Sequence, residues 1–229
     1  MKRRIVETAD GSRTILLEDW QEQYHSLHGA IGEAYHVFLK SGLYTLQHKN
    51  VSVLEVGFGT GLNAIITFLE ARKRNLNIRY TGLEAYPVGN EELRQLNYVE
   101  MLGEPDLGNA FREMHEVSWG EKHSISTFFS LTKVRKDFRD FSVSNAFHLI
   151  YFDAFGPRVQ PELWTVEVFQ TMFDALFPAG ILVTYSAKGS VRRAMQQAGF
   201  LVEKLPGPPG KREMLRAVKP DISSGESLS

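Results

Sequence analysis

The stretch Val51-Ser-Val-Leu-Glu-Val-Gly-Phe-Gly-Thr-Gly-Leu-Asn63 constrains the fold more tightly than any other part of the chain. Val51, Val53, Leu54 and Val56 suit a strand covered on both faces of a sheet. Gly57, Gly59 and Gly61 follow at once. They permit a tight turn and let a ligand lie against bare backbone. Ile65, Ile66, Phe68 and Leu69 then recur at roughly helical spacing. The third glycine comes two residues after the second, whereas a dinucleotide fingerprint reads Gly-x-Gly-x-x-Gly and seats a pyrophosphate on the helix N-terminus. An ordinary tight strand-to-helix turn is the plainer alternative.

From residue 51 onward, strand and helix patterns alternate. Strands are predicted at Ile78 to Leu83, Ser124 to Val134, Phe147 to Phe152 and Ile181 to Tyr185. Helices are predicted at about Asn90 to Met101, Asn109 to Val117, Leu163 to Leu176 (stopped by Pro178 and Gly180) and Val191 to Ala198. Phe200 to Leu205 and Glu213 to Val218 finish the pattern as two strands with no helix between them, so they should be antiparallel. Alternation of this kind implies a mostly parallel α/β sheet. Ahead of it, Ile5 to Thr8 and Thr14 to Leu17 flank Ala9-Asp-Gly-Ser12, a hairpin signal, and Ala30 to Leu39 reads as a helix. The expected organisation is an N-terminal hairpin and helix appendage over residues 1–48, one main domain over 49–220, and a disordered polar tail over 221–229.

Composition excludes more than it selects. The formal net charge is −1, which points to neither nucleic acid nor membrane. There is no cysteine, which removes disulfides, thiolate metal sites and a cysteine nucleophile together. The histidines show no ligand spacing, so no metal is expected. No apolar run is long enough to span a membrane, and acidic and basic residues interrupt the segment after Met1-Lys-Arg-Arg4, so a cytoplasmic protein is expected.

Ligands of open α/β sheets bind beyond the carboxyl ends of the strands. Three acids stand there. Glu84 follows the second strand, Asp137 follows the third within Arg135-Lys-Asp-Phe138, and Asp153 follows the fourth after Leu149-Ile-Tyr-Phe152. A carboxylate at Glu84 suits the two hydroxyls of a ribose, though a solvated loop acid is the bland alternative. The Gly57-x-Gly-x-Gly61 spacing resembles motif I of S-adenosyl-L-methionine (SAM) methyltransferases. That resemblance implies a class I SAM-dependent methyltransferase, Rossmann-like, with a mostly parallel seven-stranded sheet and an antiparallel C-terminal strand. It makes Glu55, Gly57, Phe58, Gly59, Gly61, Asn63, Glu84 and Asp153 candidate cofactor contacts, with Asp137 and Phe138 beside the adenine.

A narrower resemblance rests on several segments together. They are Gly57-Phe-Gly-Thr-Gly-Leu-Asn63, Asp153-Ala-Phe-Gly-Pro157 with Pro161-Glu-Leu-Trp164, Lys211-Arg-Glu-Met-Leu215, Tyr24-His-Ser26 and the Glu33 to Phe38 helix. The chain is similar here, from about Tyr24 to Val218, to the methyltransferase half of the tRNA-modifying MnmC family and its stand-alone counterparts. Family members commonly show Asp-Gly-Phe-x-Pro, and Ala154 replaces the glycine. The resemblance implies methyl transfer from SAM to 5-aminomethyl(-2-thio)uridine at a tRNA wobble position. Asp153 would orient the amine. Tyr24, Ser26, Phe155, Pro157, Arg158, Lys188, Lys211 and Arg212 are the candidate substrate contacts, although packing explains Tyr24 and Ser26 equally well, and Trp164 better than base stacking does. The FAD-dependent oxidase half of the fused proteins is not in this sequence, so a separate oxidase is the expected source of the aminomethyl precursor. Between Ser186 and Lys219, eight basic residues face only two acids, a local bias suited to tRNA. The competing readings are a spermidine-synthase-like aminopropyltransferase, a small-molecule or protein methyltransferase, and a catalytically silent RNA-binding module.

Overall fold

The computed structural model describes residues 2–221. The tail expected over 221–229 therefore falls, from residue 222 on, outside the described residues.

The chain opens with β1 (Arg3–Glu7), β2 (Arg13–Leu17) and the short β3 (Glu22–Gln23), which form a three-stranded antiparallel sheet. Arg3 pairs with Leu17 and Glu7 with Arg13, so the Asp10-Gly11 turn is where the hairpin reverses. Helix α1 (Ala30–Ala34) follows and continues as a π-helical turn over Tyr35–Lys40. The expected Ala30 to Leu39 helix is thus present with a widened second half.

The main sheet has eight strands. In chain order these are β4 (Asn50–Val56), β5 (Asn77–Glu84), β6 (Lys122–Ser126), β7 (Phe129–Arg135), β8 (Phe147–Phe152), β9 (Leu176–Thr184), β10 (Leu201–Pro206) and β11 (Glu213–Val218). They lie side by side in the order β10-β11-β9-β8-β4-β5-β7-β6. The five inner strands β9, β8, β4, β5 and β7 run parallel, and both edges are antiparallel. This is the mostly parallel α/β sheet with an antiparallel C-terminal strand that the class I resemblance implies, with a small N-terminal antiparallel sheet in addition.

The eighth strand comes from a correction. Ser124 to Val134 reads as one strand, but it reverses between Ser126 and Phe129 and forms the β6–β7 hairpin. Alternation alone cannot see such a reversal, because both arms keep period two. The expected helix at Asn90 to Met101 is likewise two short pieces, α3 (Asn90–Leu93) and α4 (Tyr98–Met101). The remaining helices are α2 (Leu62–Arg74), α5 (Leu107–Glu116), α6 (Val166–Ala175) and α7 (Gly189–Gln197). Helix α6 begins where the Thr165 hydroxyl accepts from the Val168 N–H. It ends at Ala175, earlier than Pro178 implies, because the chain passes straight into β9. That strand contains Pro178 within a break of register between the Phe147–Leu176 and Leu149–Ile181 pairs.

Two apolar cores cover the two faces of the sheet. One gathers α1, α2 and α5 over Val51, Val53, Tyr80 and Tyr151, and the other gathers α6 and α7 over Leu54, Val56, Ile150 and Phe152. The alternation of neighbours along β4 and β8 explains why these strands read as unbroken apolar runs. Connections leave β4 toward β5 on one side and return to β8 on the other. The crevice at the carboxyl ends of β4 and β8 is therefore the topological switch point.

Candidate active site

At that switch point the two strand ends touch. The Asp153 N–H donates to the Val56 carbonyl at 2.9 Å. Gly57, at φ 93°, passes so close that a Cβ there would lie 2.7 Å from the Asp153 carbonyl oxygen. No side chain fits, and only glycine adopts this backbone readily. The loop is held on its other side by Glu84, whose carboxylate accepts the Gly59 N–H at 3.0 Å and the Tyr86 N–H at 2.8 Å. Gly61, at φ 74°, caps the N-terminus of α2.

A cavity of about 860 Å³ opens over this loop. Gly57, Phe58 and Gly59 form part of its wall, and Glu84, Asp137, Phe138 and Asp153 lie at strand ends around it. The N-terminal layer closes the opposite side with Tyr24, His25, Ser26 and Glu33. Phe155 stands between Tyr24 and Trp20, edge-on to both at 5.0 and 5.7 Å. Its ring is thus braced by the N-terminal sheet rather than free on a loop.

Not every expected residue reaches the wall. Glu55 is buried behind the loop, where the Asn63 amide and the Tyr80 hydroxyl donate to it at 2.9 and 2.8 Å. Asn63 donates from the same nitrogen to Asp153 Oδ2 at 2.8 Å, and its own Oδ1 is buried with no partner in the chain. Gly61 is covered by the His115 ring. Pro157, Arg158, Lys188 and Arg212 lie outside the wall. Arg158 pairs with Glu22 at 2.8 Å and so ties the loop after β8 to β3. Lys211 does line the cavity, paired with Glu33. Asp137 spends both carboxylate oxygens on Arg139 and caps the turn Phe138–Asp140. The Arg139 hydrogen bonds, against a smaller opposing effect of burial, bring Asp137 down to about 2. Trp164 is a core residue whose indole N–H donates to the Phe155 carbonyl at 2.8 Å.

The eight basic residues of the C-terminal segment are less available than their number implies. Lys204 pairs with Glu213, Arg216 with Glu203 and Lys211 with Glu33, and Lys219 is held by Asn145 and the Leu176 carbonyl. Lys188, Arg193 and Arg212 remain exposed.

Burial first, and the Glu33 charge second, push Asp153 up to about 7, against the Asn63 hydrogen bond and the Lys211 charge. A carboxylate in this state holds or releases a proton near neutrality. Burial and the neighbouring Asp153 hold Glu55 well above the usual carboxylate range.

Comparison with known proteins meets this geometry. A family model described as S-adenosyl-L-methionine-dependent methyltransferase matches residues 111–220. The tRNA 5-methylaminomethyl-2-thiouridine biosynthesis bifunctional protein MnmC of Azoarcus sp. is 31% identical over 212 residues, covering 84% of this chain and 32% of that protein. The protein of the same name from Hydrogenovibrio crunogenus is 29% identical over 230 residues, covering 93% and 33%. The crystal structure of MNMC2 from Aquifex aeolicus superposes with a TM-score of 0.72 at 26% identity, covering 94% of this chain and 70% of that one. The chain belongs to the SAM-dependent methyltransferases of the MnmC methyltransferase-domain family. It spans about a third of the length of the curated relatives it matches.

The cofactor of this methyltransferase is SAM. The cavity fits such a group: bare backbone at Gly57 and Gly59, a carboxylate at Glu84 and the apolar Phe138 line one continuous wall. Sequence reading missed two of the lining residues: Glu33 is visible only as part of a helix and Tyr185 only as the end of a strand. In the sequence His25 is read, with Tyr24 and Ser26, as a candidate cap over the cofactor or acceptor, with packing as the equal alternative. His25 Nε2 is 2.8 Å from the Thr60 hydroxyl, inside the glycine loop. A buried polar residue on a short apolar helix was the one signal available for Glu33.

Proposed function

We propose that this chain methylates the primary amine of 5-aminomethyl(-2-thio)uridine at the wobble position of tRNA, giving the 5-methylaminomethyl derivative. The observation that carries the reading is Asp153. It is an enclosed carboxyl with a pKa of about 7, fixed by Asn63 beside the glycine loop and open to a cavity large enough for more than a cofactor. The two MnmC relatives, named for 5-methylaminomethyl-2-thiouridine biosynthesis in tRNA, support the substrate.

In this reading Glu84 takes the ribose hydroxyls of the cofactor, Gly57 to Gly59 lie along it, and Phe138 packs against its base. SAM supplies a sulfonium-bound methyl group, and the C–S bonding pair stays on sulfur. Asp153 receives the acceptor ammonium and accepts one of its protons, which frees the nitrogen pair for bonding. Asn63 holds Asp153 Oδ2 so that the other oxygen faces the amine, and orientation of this kind supplies much of the rate. Phe155 and Tyr24 line the approach of the uracil ring. Lys188, Arg193 and Arg212 meet the tRNA backbone at the exposed end of the site. The enzyme would work in the cytoplasm, after a separate oxidative activity has exposed the aminomethyl group.

Aminopropyl transfer to a polyamine fits less well. Glu33 does add a second acid to the site, but Lys211 already neutralises it. The deciding experiment supplies labelled SAM with tRNA carrying 5-aminomethyluridine and, separately, unmodified tRNA. Label is expected in 5-methylaminomethyluridine on the modified tRNA alone, read by mass spectrometry. Equal labelling of both tRNAs, or of neither, refutes the substrate. Asp153→Ala is expected to lower kcat by at least about 100-fold.

A further inference from the structure

Glu33 and Lys211 come from opposite ends of the chain and meet beside Asp153. Glu33 is 9% exposed on α1, and its Oε2 accepts the Ser26 N–H at 3.1 Å. Its Oε1 accepts from the Lys211 ammonium. Lys211, in the turn ahead of β11, carries that ammonium 4.0 Å from the centre of the Tyr185 ring, where the ring face attracts it. The Tyr185 hydroxyl donates to the carbonyl of Ala154, the residue after Asp153, at 2.9 Å. The lysine is therefore clamped by a carboxylate and an aromatic face. Among the described residues its ion pair is with Glu33 and not with Asp153.

We propose that Glu33 and Lys211 are a positioning pair for Asp153: Glu33 holds the Lys211 ammonium on the Tyr185 ring, so that the Asp153 carboxylate stays unneutralised and takes the proton of the acceptor amine. The inference rests on the amine-methylation reading given above. In that reaction one proton passes from the acceptor ammonium to an Asp153 oxygen. The nitrogen keeps the electron pair that bonds the methyl, and Asp153 releases the proton to solvent after product leaves. Without Glu33, the lysine would be free to turn to Asp153, which already feels its charge, and occupy the place of the amine.

Two further kinds of group face Asp153, and neither competes near neutral pH. Burial first, and the Asp153 charge second, hold the Glu55 carboxyl well above the usual carboxylate range, and the Asn63 amide and the Tyr80 hydroxyl already donate to it. Burial keeps Tyr80, Tyr98 and Tyr185 un-ionised. Glu33 and Lys211 are thus the charges that set its proton affinity, and they act in opposite directions.

The test is a carbon-13 NMR titration of aspartate-labelled protein without acceptor, with Asp153 assigned by Asp153→Asn. The Asp153 midpoint is expected to fall by about one unit in Glu33→Gln and to rise by a similar amount in Lys211→Met. A purely structural pair moves neither, or moves both the same way, and either result overturns the proposal. Glu33→Asp keeps the charge and is expected to restore the wild-type midpoint. In turnover, Glu33→Gln is expected to lower kcat about tenfold with the KM for SAM unchanged, and the acidic limb of the pH profile should follow the titration. A wild-type enzyme that fails to methylate the amine, while the midpoints move as stated, refutes the substrate and leaves the pair standing.

Discussion

Gly57 carries two constraints that separate cleanly by mutation. Its φ of 93° is costly for any other residue, and the missing Cβ is where the Asp153 carbonyl passes. Gly103 has the first constraint alone, with φ 67° and nothing within 4 Å of an added Cβ. Gly57→Ala is therefore expected to cost about 2–4 kcal/mol of stability and to weaken SAM binding at least about tenfold, whereas Gly103→Ala costs about 1 kcal/mol and leaves binding intact. Thermal unfolding and calorimetric titration of SAM read both effects. Equal loss of binding in the two variants would refute the close approach as the reason for the glycine. Gly57 was legible in the sequence because backbone freedom belongs to the residue type and its spacing to the strand before it. The carboxyls at Glu84 and Asp153 were legible for a similar reason, since each directly follows an apolar run. Glu33 was not, because its meaning lies in a partner 178 residues away. Neither spacing nor periodicity encodes a contact of that range.

Between elements, the decisive joint is Asp10. Its Oδ1 accepts from the Thr8 and Ser12 hydroxyls and the Ser12 N–H, which closes the β1–β2 turn. Its Oδ2 accepts the Ile31 and Gly32 N–H groups, which caps α1. One carboxylate thus fastens the hairpin to the helix, and the segment between them carries Tyr24, His25 and Ser26 to the cavity. Burial tends to raise its pKa, but the combined hydrogen bonds from Ser12, Thr8 and Gly32 hold it below the ordinary 3.8. A lowered carboxyl contributes stability above 3.8 that is lost as pH falls through the folded value. Asp10→Ala is expected to cost about 2 kcal/mol at neutral pH in urea unfolding. It should also raise the KM for acceptor more than it lowers kcat. An unchanged urea midpoint would show that the hairpin and helix dock without it. Sequence reading found the hairpin and the helix separately, from turn chemistry and from period. It could not find the joint, and it merged β6 with β7, because adjacency between elements leaves no local trace.

At the scale of the molecule, the site makes pH act in two directions at once. Burial brings His25 down to about 4, and burial with the Lys133 charge does the same to His115. Neutral rings contribute stability that is full above 6.5 and is lost as pH falls toward 4, because the unfolded chain then binds the extra protons. Asp153 has the opposite sign. Its pKa is raised from 3.8 to about 7, so its contribution is full below 3.8 and is lost as pH rises through 7. Glu55 is raised as well and acts in the same sense. Between pH 4 and 6.5, then, acidification costs the fold these two histidines and His148, which burial also lowers, and returns two carboxyls. Asp10 acts only below this window. The expected wild-type profile of urea midpoint against pH is shallow there. Removing one side should expose the other: Asp153→Asn should lose stability steeply on acidification, and His115→Leu should gain it. Both residues adjoin the glycine loop, His115 against Gly61 and Asp153 against Gly57, so the balance is concentrated where the ligand would sit. Bound SAM should shift all three curves upward by mass action without equalising their slopes, provided that neither group changes its proton count on binding. Parallel profiles for wild type and both variants in the absence of SAM would mean that these groups titrate alike in the folded and unfolded chains. The enclosed charge on which Asp153 depends would then be absent.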